Sequence, residues 1–232
     1  MGAAKLRQLF RDPATERRLN RRLRVARLIG LVPCNRLRIL LHRVINKYQI
    51  SSSAVLGFGV VLAVDRATIG RAMIGKGSRF DGPCSLVIED DVLIGAKNTF
   101  SSIHDEPGDM EKVERDAPPM NSCIIRRNAW INGDHYVDTT GGFELGENSL
   151  IAGRGSQFWT HGLKGGSVVI GSYCYVSSHV IFTPRSAAGN HTLVAPGSVV
   201  TKRFNVENVT LAGVPARITR AQGDSEIASD DG

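Results

Sequence analysis

His161 stands in a turn, "FWTHGLKGG", that separates two apolar stretches of the chain. An imidazole has an ordinary pKa of about 6.5, so its neutral form can accept a proton from a hydroxyl group near neutral pH. Trp159 and Thr160 directly precede it, and Trp159 is a candidate for contact with an acceptor molecule. A histidine in such a turn can also serve only as a cap or as surface polarity, and the residues alone leave both interpretations open.

Other histidines compete for the same chemistry. His104, in "SSIHDEPG", lies in a loop beside an acid, where it can act as a base or bind substrate. His135 and Asp138, in "GDHYVDTTGG", can line an acceptor pocket, and a carboxylate such as Asp138 can fix the tautomer of an imidazole. The alternative for this pair is turn capping. His179 is expected to be structural, and His42 is expected on the surface of a helix.

A period of six residues organises the chain from residue 54 onward. Glycine often follows the recurring aliphatic residue, and neither an α-helix nor a plain strand has this period. A short strand cannot bury one inward side chain alone, whereas stacked coils cover each other, so the spacing predicts a parallel β-solenoid. The five runs are Ile88, Ile94, Phe100; Ile125, Ile131, Val137; Leu145, Ile151, Gln157; Ile170, Val176, Phe182; and Val194, Val200, Val206.

The repeats also set the expected domain boundaries. We expect a helical arm over residues 1–50, a solenoid over 51–220 and a disordered acidic tail over 221–232. The polar stretch 101–122 interrupts the rhythm and is predicted to be a loop extruded from the solenoid. A shorter break, "DTTGGFE", covers residues 138–144.

The N-terminal arm is basic and predicted to be helical. Residues 1–49 carry 13 Lys or Arg against 2 Asp or Glu, whereas the remaining residues carry 16 against 20. One helix is predicted from about Ala14 to Leu31, and a second is amphipathic. Its apolar stripe consists of Leu37, Leu40, Leu41, Val44, Ile45 and Tyr48. The stripe can dock on the body or on a neighbouring subunit, or residues 1–48 can lie on an anionic membrane, and both can hold.

Composition argues against several other classes of protein. The four cysteines are scattered without a CxxC pair, which favours reduced thiols in a cytoplasmic protein. No apolar run suits a signal peptide or a membrane span, so we expect at most a peripheral contact with the inner face of the membrane. No metal is predicted, because no histidine pair has ligand spacing. No nucleic-acid partner is predicted, because the basic arm has no aromatic interleaving.

Four stretches carry a family resemblance: "IAGRGSQFWTHG", "SVVIGSYCYVSSHVIF", "LVAPGSVVTK" and "LAGVPARITR". With the six-residue repeats, they resemble the hexapeptide-repeat acyltransferases over roughly residues 54–220, and in particular sugar O-acetyltransferases of the maltose/galactoside type. The resemblance implies an all-β fold, a left-handed parallel β-helix, here with an N-terminal α-helical arm. It also implies a homotrimer with active sites between neighbouring solenoids, acetyl-CoA as the donor, and His161 as the general base.

The same resemblance implies where the acetyl donor binds. A serine lines the pantetheine channel, an alanine and a Thr-Lys pair hold the cofactor, and two arginines lie near its phosphates. These roles fall on Ser178, Ala195, Thr201, Lys202, Arg217 and Arg220. The chain departs from the family at Pro196, which lacks a donor N–H, and in the short loop after His161.

The prediction is therefore an acetyl-CoA-dependent O-acetyltransferase that acts on a sugar hydroxyl, in a surface polysaccharide or a lipid-linked glycan. Two alternatives stay open. An N-acetyltransferase of an amino-sugar nucleotide would use the same histidine on an amino group. A non-enzymatic solenoid that scaffolds glycan assembly at the membrane would bind no acetyl-CoA.

Overall fold

A computed structural model describes residues 13–102, 118–161 and 166–221. The predicted acidic tail and most of the predicted loop 101–122 lie outside these residues. The described part of the chain begins with two helices, α1 (Pro13–Gly30) and α2 (Asn35–Ile45), as predicted.

In the described part of the chain, 24 short strands follow the helices. Most have only two or three residues, so none can bury a core alone. They are β1 (Gln49–Ile50), β2 (Val55–Leu56), β3 (Val61–Ala63), β4 (Arg66–Ile69), β5 (Met73–Ile74), β6 (Arg79–Asp81), β7 (Ser85–Ile88), β8 (Leu93–Ile94), β9 (Thr99–Ser101), β10 (Ser122–Ile125), β11 (Trp130–Ile131), β12 (Tyr136–Asp138), β13 (Phe143–Leu145), β14 (Leu150–Ile151), β15 (Gln157–Phe158), β16 (Val168–Ile170), β17 (Tyr175–Val176), β18 (Ile181–Phe182), β19 (Ala187–Ala188), β20 (Leu193–Val194), β21 (Val199–Val200), β22 (Arg203–Phe204), β23 (Val209–Gly213) and β24 (Ala216–Ala221).

The strands stack into three sheets. Among the described residues, sheet 1 has the order β1-β4-β7-β10-β13-β16-β19-β22, sheet 2 the order β2-β5-β8-β11-β14-β17-β20-β23-β24, and sheet 3 the order β3-β6-β9-β12-β15-β18-β21. Every third strand joins the same sheet in parallel, so three strands make one coil, and coil 1 begins at β1. The last strand, β24, folds back antiparallel on β23. This parallel β-solenoid with two N-terminal helices confirms the predicted fold class.

Columns of inward side chains fill the solenoid. The predicted runs that start at Ile88, Ile125 and Ile170 each place one residue in each sheet, as expected. The column of sheet 2 is at most 1% exposed, and burial of each such aliphatic side chain contributes roughly 1.5–3 kcal/mol. It consists of Leu56, Ile74, Ile94, Ile131, Ile151, Val176, Val194 and Leu211.

Two predicted column positions are wrong. Gln157 is exposed, and Phe158, one residue later, fills the column of sheet 3 with 0% exposure. Val206 is 44% exposed, and Phe204 takes the column of sheet 1. In both places the corner between two strands is longer or shorter than in the regular repeat. Counting every sixth residue therefore no longer finds the side chain that points inward.

Glycine at the corners lets successive coils stack at close range. A Cβ atom on Gly75 would lie 2.5 Å from the carbonyl carbon of Gly95 in the next coil, which is closer than non-bonded atoms approach. The glycines that follow the aliphatic residues therefore permit stacking as well as bending.

The helical arm closes the first end of the solenoid. Coil 1 has no coil beneath it, so its backbone groups need other partners. Asn35 Oδ1 accepts the Leu56 N–H (2.9 Å), and the Arg38 guanidinium donates to the Leu56 carbonyl. The Tyr48 hydroxyl donates to the Val64 carbonyl (2.6 Å). Polar side chains of the arm thus pair backbone groups that would otherwise be buried without partners.

This role leaves most of the predicted apolar stripe facing away from the solenoid, whereas Tyr48 lies beyond α2 and is 5% exposed. Arg38 and Ile39 are buried against the solenoid. Leu37, Leu40 and Val44 are 43%, 52% and 57% exposed. The prediction that the stripe docks on the body of its own chain is therefore wrong for these side chains, because the surface to be covered is polar backbone.

His42 also differs from the prediction. It was expected on the surface but is only 1% exposed, on the face of α2 that meets the solenoid. Burial lowers its pKa to about 4, so the ring is neutral near pH 7. Its ring stacks on that of Tyr48, with centroids 5.8 Å apart.

Candidate active site

His161 lies where the chain turns from sheet 3 to sheet 1, a position we call corner 3–1. Phe158 enters the core, Thr160 is 0% exposed, and the His161 side chain is 32% exposed. Thr160 Oγ1 accepts the Gly141 N–H (2.9 Å) and donates to the Asp138 carbonyl (3.1 Å). These contacts to the coil below hold the backbone next to His161 in place.

Asp138 ends β12 at the same corner, one coil below His161. Its Oδ2 lies 2.6 Å from His161 Nδ1 and accepts the backbone N–H groups of His161 (2.7 Å) and Thr160 (3.0 Å). Its Oδ1 accepts the Thr140 N–H (3.0 Å) and the Thr140 hydroxyl (2.6 Å). Asp138 is 0% exposed, and both of its carboxylate oxygens thus accept hydrogen bonds.

These hydrogen bonds keep Asp138 ionised. Burial raises the pKa of its carboxyl group, but the hydrogen bonds from Thr140, His161 and Thr160 outweigh burial and leave the pKa below its usual range. An ionised carboxylate can only accept, so His161 Nδ1 carries its hydrogen and Nε2 is the basic nitrogen of the neutral ring. This geometry is similar to that of the histidine and aspartate in a Ser-His-Asp triad, without a serine.

Two aromatic rings stand beside the imidazole. The Trp159 ring lies edge-on to the His161 ring, with centroids 5.5 Å apart. The Tyr136 ring centroid lies 4.8 Å from that of Trp159. Burial, with the nearby carboxylates of Asp138 and Asp81, raises the pKa of Tyr136 to about 12, so its hydroxyl stays protonated. Tyr136 was not predicted, although it stands two residues before Asp138 and so shares its side of β12.

Arg79 and Asp81 extend this corner downward. Asp81, Ser101 and Asp138 are Cα partners on three successive coils, which puts Asp81 about 10 Å below Asp138. Arg79 pairs with Asp81 Oδ2. Asp81 Oδ1 is buried and has no hydrogen-bond partner among the residues that the structure describes. A buried oxygen without a hydrogen-bond partner is rare in folded proteins.

Of the two other predicted histidines, the structure describes only His135. His104 lies outside the described residues. His135 is at the corner between sheets 2 and 3, called corner 2–3, where it is 2% exposed and its Nδ1 accepts the Ser156 N–H (3.2 Å). Burial lowers the pKa of His135 to about 4. His135 is thus buried at a different corner of its own chain from His161.

The predicted donor-binding residues lie at two different corners. Thr201 and Lys202 follow β21 at corner 3–1 and are exposed two coils above Trp159. Ser178 and Ala195 follow β17 and β20 at corner 2–3, on adjacent coils. One chain therefore presents the two sets on separate edges of the solenoid.

Arg217 and Arg220 lie on β24, which packs on the last coil. Both side chains are exposed, and their Cα partners on β23 are Ala212 and Thr210. Lys202 is near the same end of the solenoid, with its Nζ 5.2 Å from the centroid of Phe204. Three cations thus stand toward one end of the solenoid.

No three His, Cys, Asp or Glu side chains in the described ranges are grouped so that they could hold a metal ion. Neither described helix is both long and apolar enough to cross a bilayer.

Comparison with known sequences decides the family. The chain is 36% identical over 165 residues to the galactoside O-acetyltransferase of Escherichia coli (strain K12), an alignment that covers 58% of this chain and 80% of that protein. The chain belongs to the hexapeptide-repeat acetyltransferases. No family model matches the chain.

Solved structures show the same fold in this family. The polysialic acid O-acetyltransferase OatWY superposes with a TM-score of 0.56 at 18% identity, over 75% of this chain and 84% of that one. A hexapeptide-repeat acetyltransferase from Vibrio cholerae, in complex with acetyl-CoA, superposes with a TM-score of 0.50 at 17% identity, over 97% of this chain and 100% of that one. Membership in the family makes this protein an acetyltransferase and sets aside the non-enzymatic scaffold.

Proposed function

We propose that this acetyltransferase moves an acetyl group from acetyl-CoA to a sugar hydroxyl, with His161 as the general base. The observation that supports this most strongly is the 2.6 Å contact between His161 Nδ1 and the buried, ionised Asp138. A histidine used only to cap a turn does not need a buried carboxylate that is held by five hydrogen bonds. The names of two relatives, a galactoside and a polysialic acid O-acetyltransferase, favour a sugar hydroxyl.

The proposed chemistry needs one proton to move twice. His161 Nε2 removes the acceptor hydroxyl proton while that oxygen attacks the thioester carbonyl, and Asp138 stabilises the imidazolium that forms. When the tetrahedral intermediate collapses, the carbon–sulfur bond breaks and His161 returns the proton to the departing thiolate. No covalent enzyme intermediate is required, and a base of this kind is typically worth about 10²- to 10⁴-fold in rate.

We assign the donor to the positions that the family resemblance implies. Lys202, Arg217 and Arg220 are exposed cations suited to the phosphates of coenzyme A. Ser178 and Ala195 stand at corner 2–3, away from His161, so a donor site that uses all of them needs corner 3–1 of one chain and corner 2–3 of another. This supports the predicted homotrimer with active sites between protomers.

The acceptor is proposed to bind along corner 3–1. Trp159 and Tyr136 offer aromatic faces to a sugar ring, and the Tyr136 hydroxyl stays available as a donor. Asp81 and Arg79 lie at the same corner, two coils below Asp138. A site of this length suits a sugar within a surface polysaccharide or a lipid-linked glycan. We place the protein in the cytoplasm, with its arm in peripheral contact with the inner face of the membrane.

A thiol-release assay with acetyl-CoA tests the proposal. Methyl galactoside, methyl glucoside and short sialic acid oligomers serve as hydroxyl acceptors, and a 4-amino-sugar nucleotide serves as the amino acceptor. Release of coenzyme A with a hydroxyl acceptor, together with an O-acetylated product in the mass spectrum, is the expected result. Release with the amino acceptor alone would establish the N-acetyltransferase instead.

A further inference from the structure

We propose that the helical arm is a binding surface for anionic phospholipid, built from two adjoining parts. The first part, the lipid stripe, is the exposed apolar face of α2 formed by Leu37, Leu40 and Val44. The second, the arginine cavity, is a cavity of about 310 Å³ between α1 and the end of α2. Its lining consists of Arg18, Arg21, Arg22, Val25, Ile45, Asn46 and Tyr48.

The lipid stripe is apolar and uncovered within its own chain. Its side chains are 43%, 52% and 57% exposed, because α2 uses its other face to cap the solenoid. Arg36 and Arg43 are seven residues apart on α2, so they lie in one basic row beside the stripe, and Arg43 Nε also donates to the Ile50 carbonyl (2.7 Å). An apolar face flanked by cations is the pattern of a helix that lies in the interface of an anionic membrane.

The arginine cavity gives this surface a place for a phosphate group. Arg18, Arg21 and Arg22 recur at i, i+3 and i+4 on one face of α1. Asp65 pairs with Arg22 and lies 3.8 Å from Arg18, and none of the described residues that line the cavity is acidic. Three guanidinium groups near one carboxylate leave a net positive charge, which suits the phosphate of a lipid headgroup.

Ile45 connects the two parts. It lines the cavity, is 52% exposed, and directly follows Val44 at the end of α2. A lipid with its phosphate in the cavity can therefore keep its acyl chains against the stripe. Charge complementarity favours lipid over a second copy of this chain, because a copy would bring the same arginines toward each other. The inference concerns the arm alone and does not depend on the chemistry proposed at His161.

Vesicle sedimentation tests the inference. The full-length protein is mixed with vesicles of phosphatidylcholine alone or of phosphatidylcholine with phosphatidylglycerol. We expect binding only to the anionic vesicles and a loss of binding as salt rises. The double variant Leu40→Glu, Val44→Glu and the single variant Arg21→Glu should each weaken binding by about tenfold or more. Free inorganic phosphate should not release the bound protein.

Two matched variants serve as controls. Val206→Glu places the same charge at another exposed apolar side chain, and Arg127→Glu reverses an exposed cation far from the arm. Both should bind vesicles like the original chain, and acetyl-CoA turnover with soluble acceptors should be the same for all variants. Equal binding to neutral vesicles, or unchanged binding of the stripe and cavity variants, would overturn the inference. So would a stripe variant whose only change is a smaller oligomer by light scattering.

Discussion

The substitution Asp138→Asn removes the orientation of His161 while keeping the size of the side chain. The carboxylate accepts five hydrogen bonds, and an asparagine has only one oxygen to accept them. If that oxygen faces Thr140, the amide NH₂ faces the N–H groups of Thr160 and His161. His161 Nδ1 must then accept, so the hydrogen moves to Nε2 and the base is lost. If the oxygen faces His161 instead, the NH₂ group faces the Thr140 N–H.

Either arrangement should lower turnover strongly. We expect kcat to fall by about 10²- to 10⁴-fold, or roughly 3 to 5 kcal/mol of transition-state stabilisation. The assay is coenzyme A release across a range of pH, with acetyl-CoA affinity measured by calorimetry. Affinity should stay within about twofold, and the pH dependence of kcat should change, because a different group then limits the rate.

The control is Asp134→Asn, which makes the same change at an exposed corner residue. Its φ of 61° is one that asparagine also adopts readily, so activity and stability should not change. A folded Asp138→Asn enzyme that loses less than about tenfold in kcat and keeps its pH profile would refute the role given to Asp138. If that variant does not fold, Thr140→Val, which removes one hydroxyl donor, should still shift the pH profile.

Three further predictions concern stability and the donor site. Burial lowers the pKa of His42 and His135 to about 4, so near pH 5 the unfolded chain binds protons that the native chain does not. The free energy of unfolding, measured in urea, should therefore fall as the pH is lowered from about 7.5 to about 5. The expected loss is roughly 2 kcal/mol for His42 and at most that for His135. Gly146→Ala should cost about 2 kcal/mol or more in thermal unfolding, because its Cβ would lie 2.4 Å from backbone in the next coil. Replacing Arg217 and Arg220 by serine should raise KM for acetyl-CoA roughly tenfold and leave kcat within about twofold.

Each of these predictions has a clear contrary result. A free energy of unfolding that is constant or rises as the pH falls would show that the two histidines are protonated in the folded protein. Gly197→Asn is the control for the glycine test, because nothing lies within 4 Å of its Cβ position and asparagine tolerates its positive φ. An unchanged KM for acetyl-CoA in the double serine variant would remove the two arginines from the donor site.

The solenoid was predictable because its core is a repeat in the sequence. Each inward column accepts one Ile, Val, Leu or Phe per coil, so the six-residue spacing reports the stacking directly. The spacing failed at Gln157 and Val206, where a corner gains or loses residues. Local spacing does not report corner length, and only the pairing of neighbouring coils shows that Phe158 and Phe204 point inward.

The sequence did not show which face of α2 meets the solenoid, or how far the candidate site extends along corner 3–1. Helical periodicity identified the exposed apolar side chains of α2, but α2 ends at Ile45, so Tyr48 is not part of its stripe. The surface that α2 covers includes the polar end of the first coil, so Arg38 faces inward. At the site, the match to a family motif made His161 the candidate base. The sequence also offered Asp138 as a carboxylate that can orient an imidazole, with turn capping as the alternative. Asp81 stands 57 residues before Asp138 in the chain, so only the stacking of coils brings the two to one corner.

The most direct test of the central claim is the turnover of His161→Ala with acetyl-CoA and a hydroxyl acceptor that the original enzyme uses. Because His161 is the proposed base and is not among the proposed donor-binding residues, kcat should fall by about 10²-fold or more while acetyl-CoA binds with nearly the same affinity. Near-normal turnover of a folded His161→Ala protein would contradict the account.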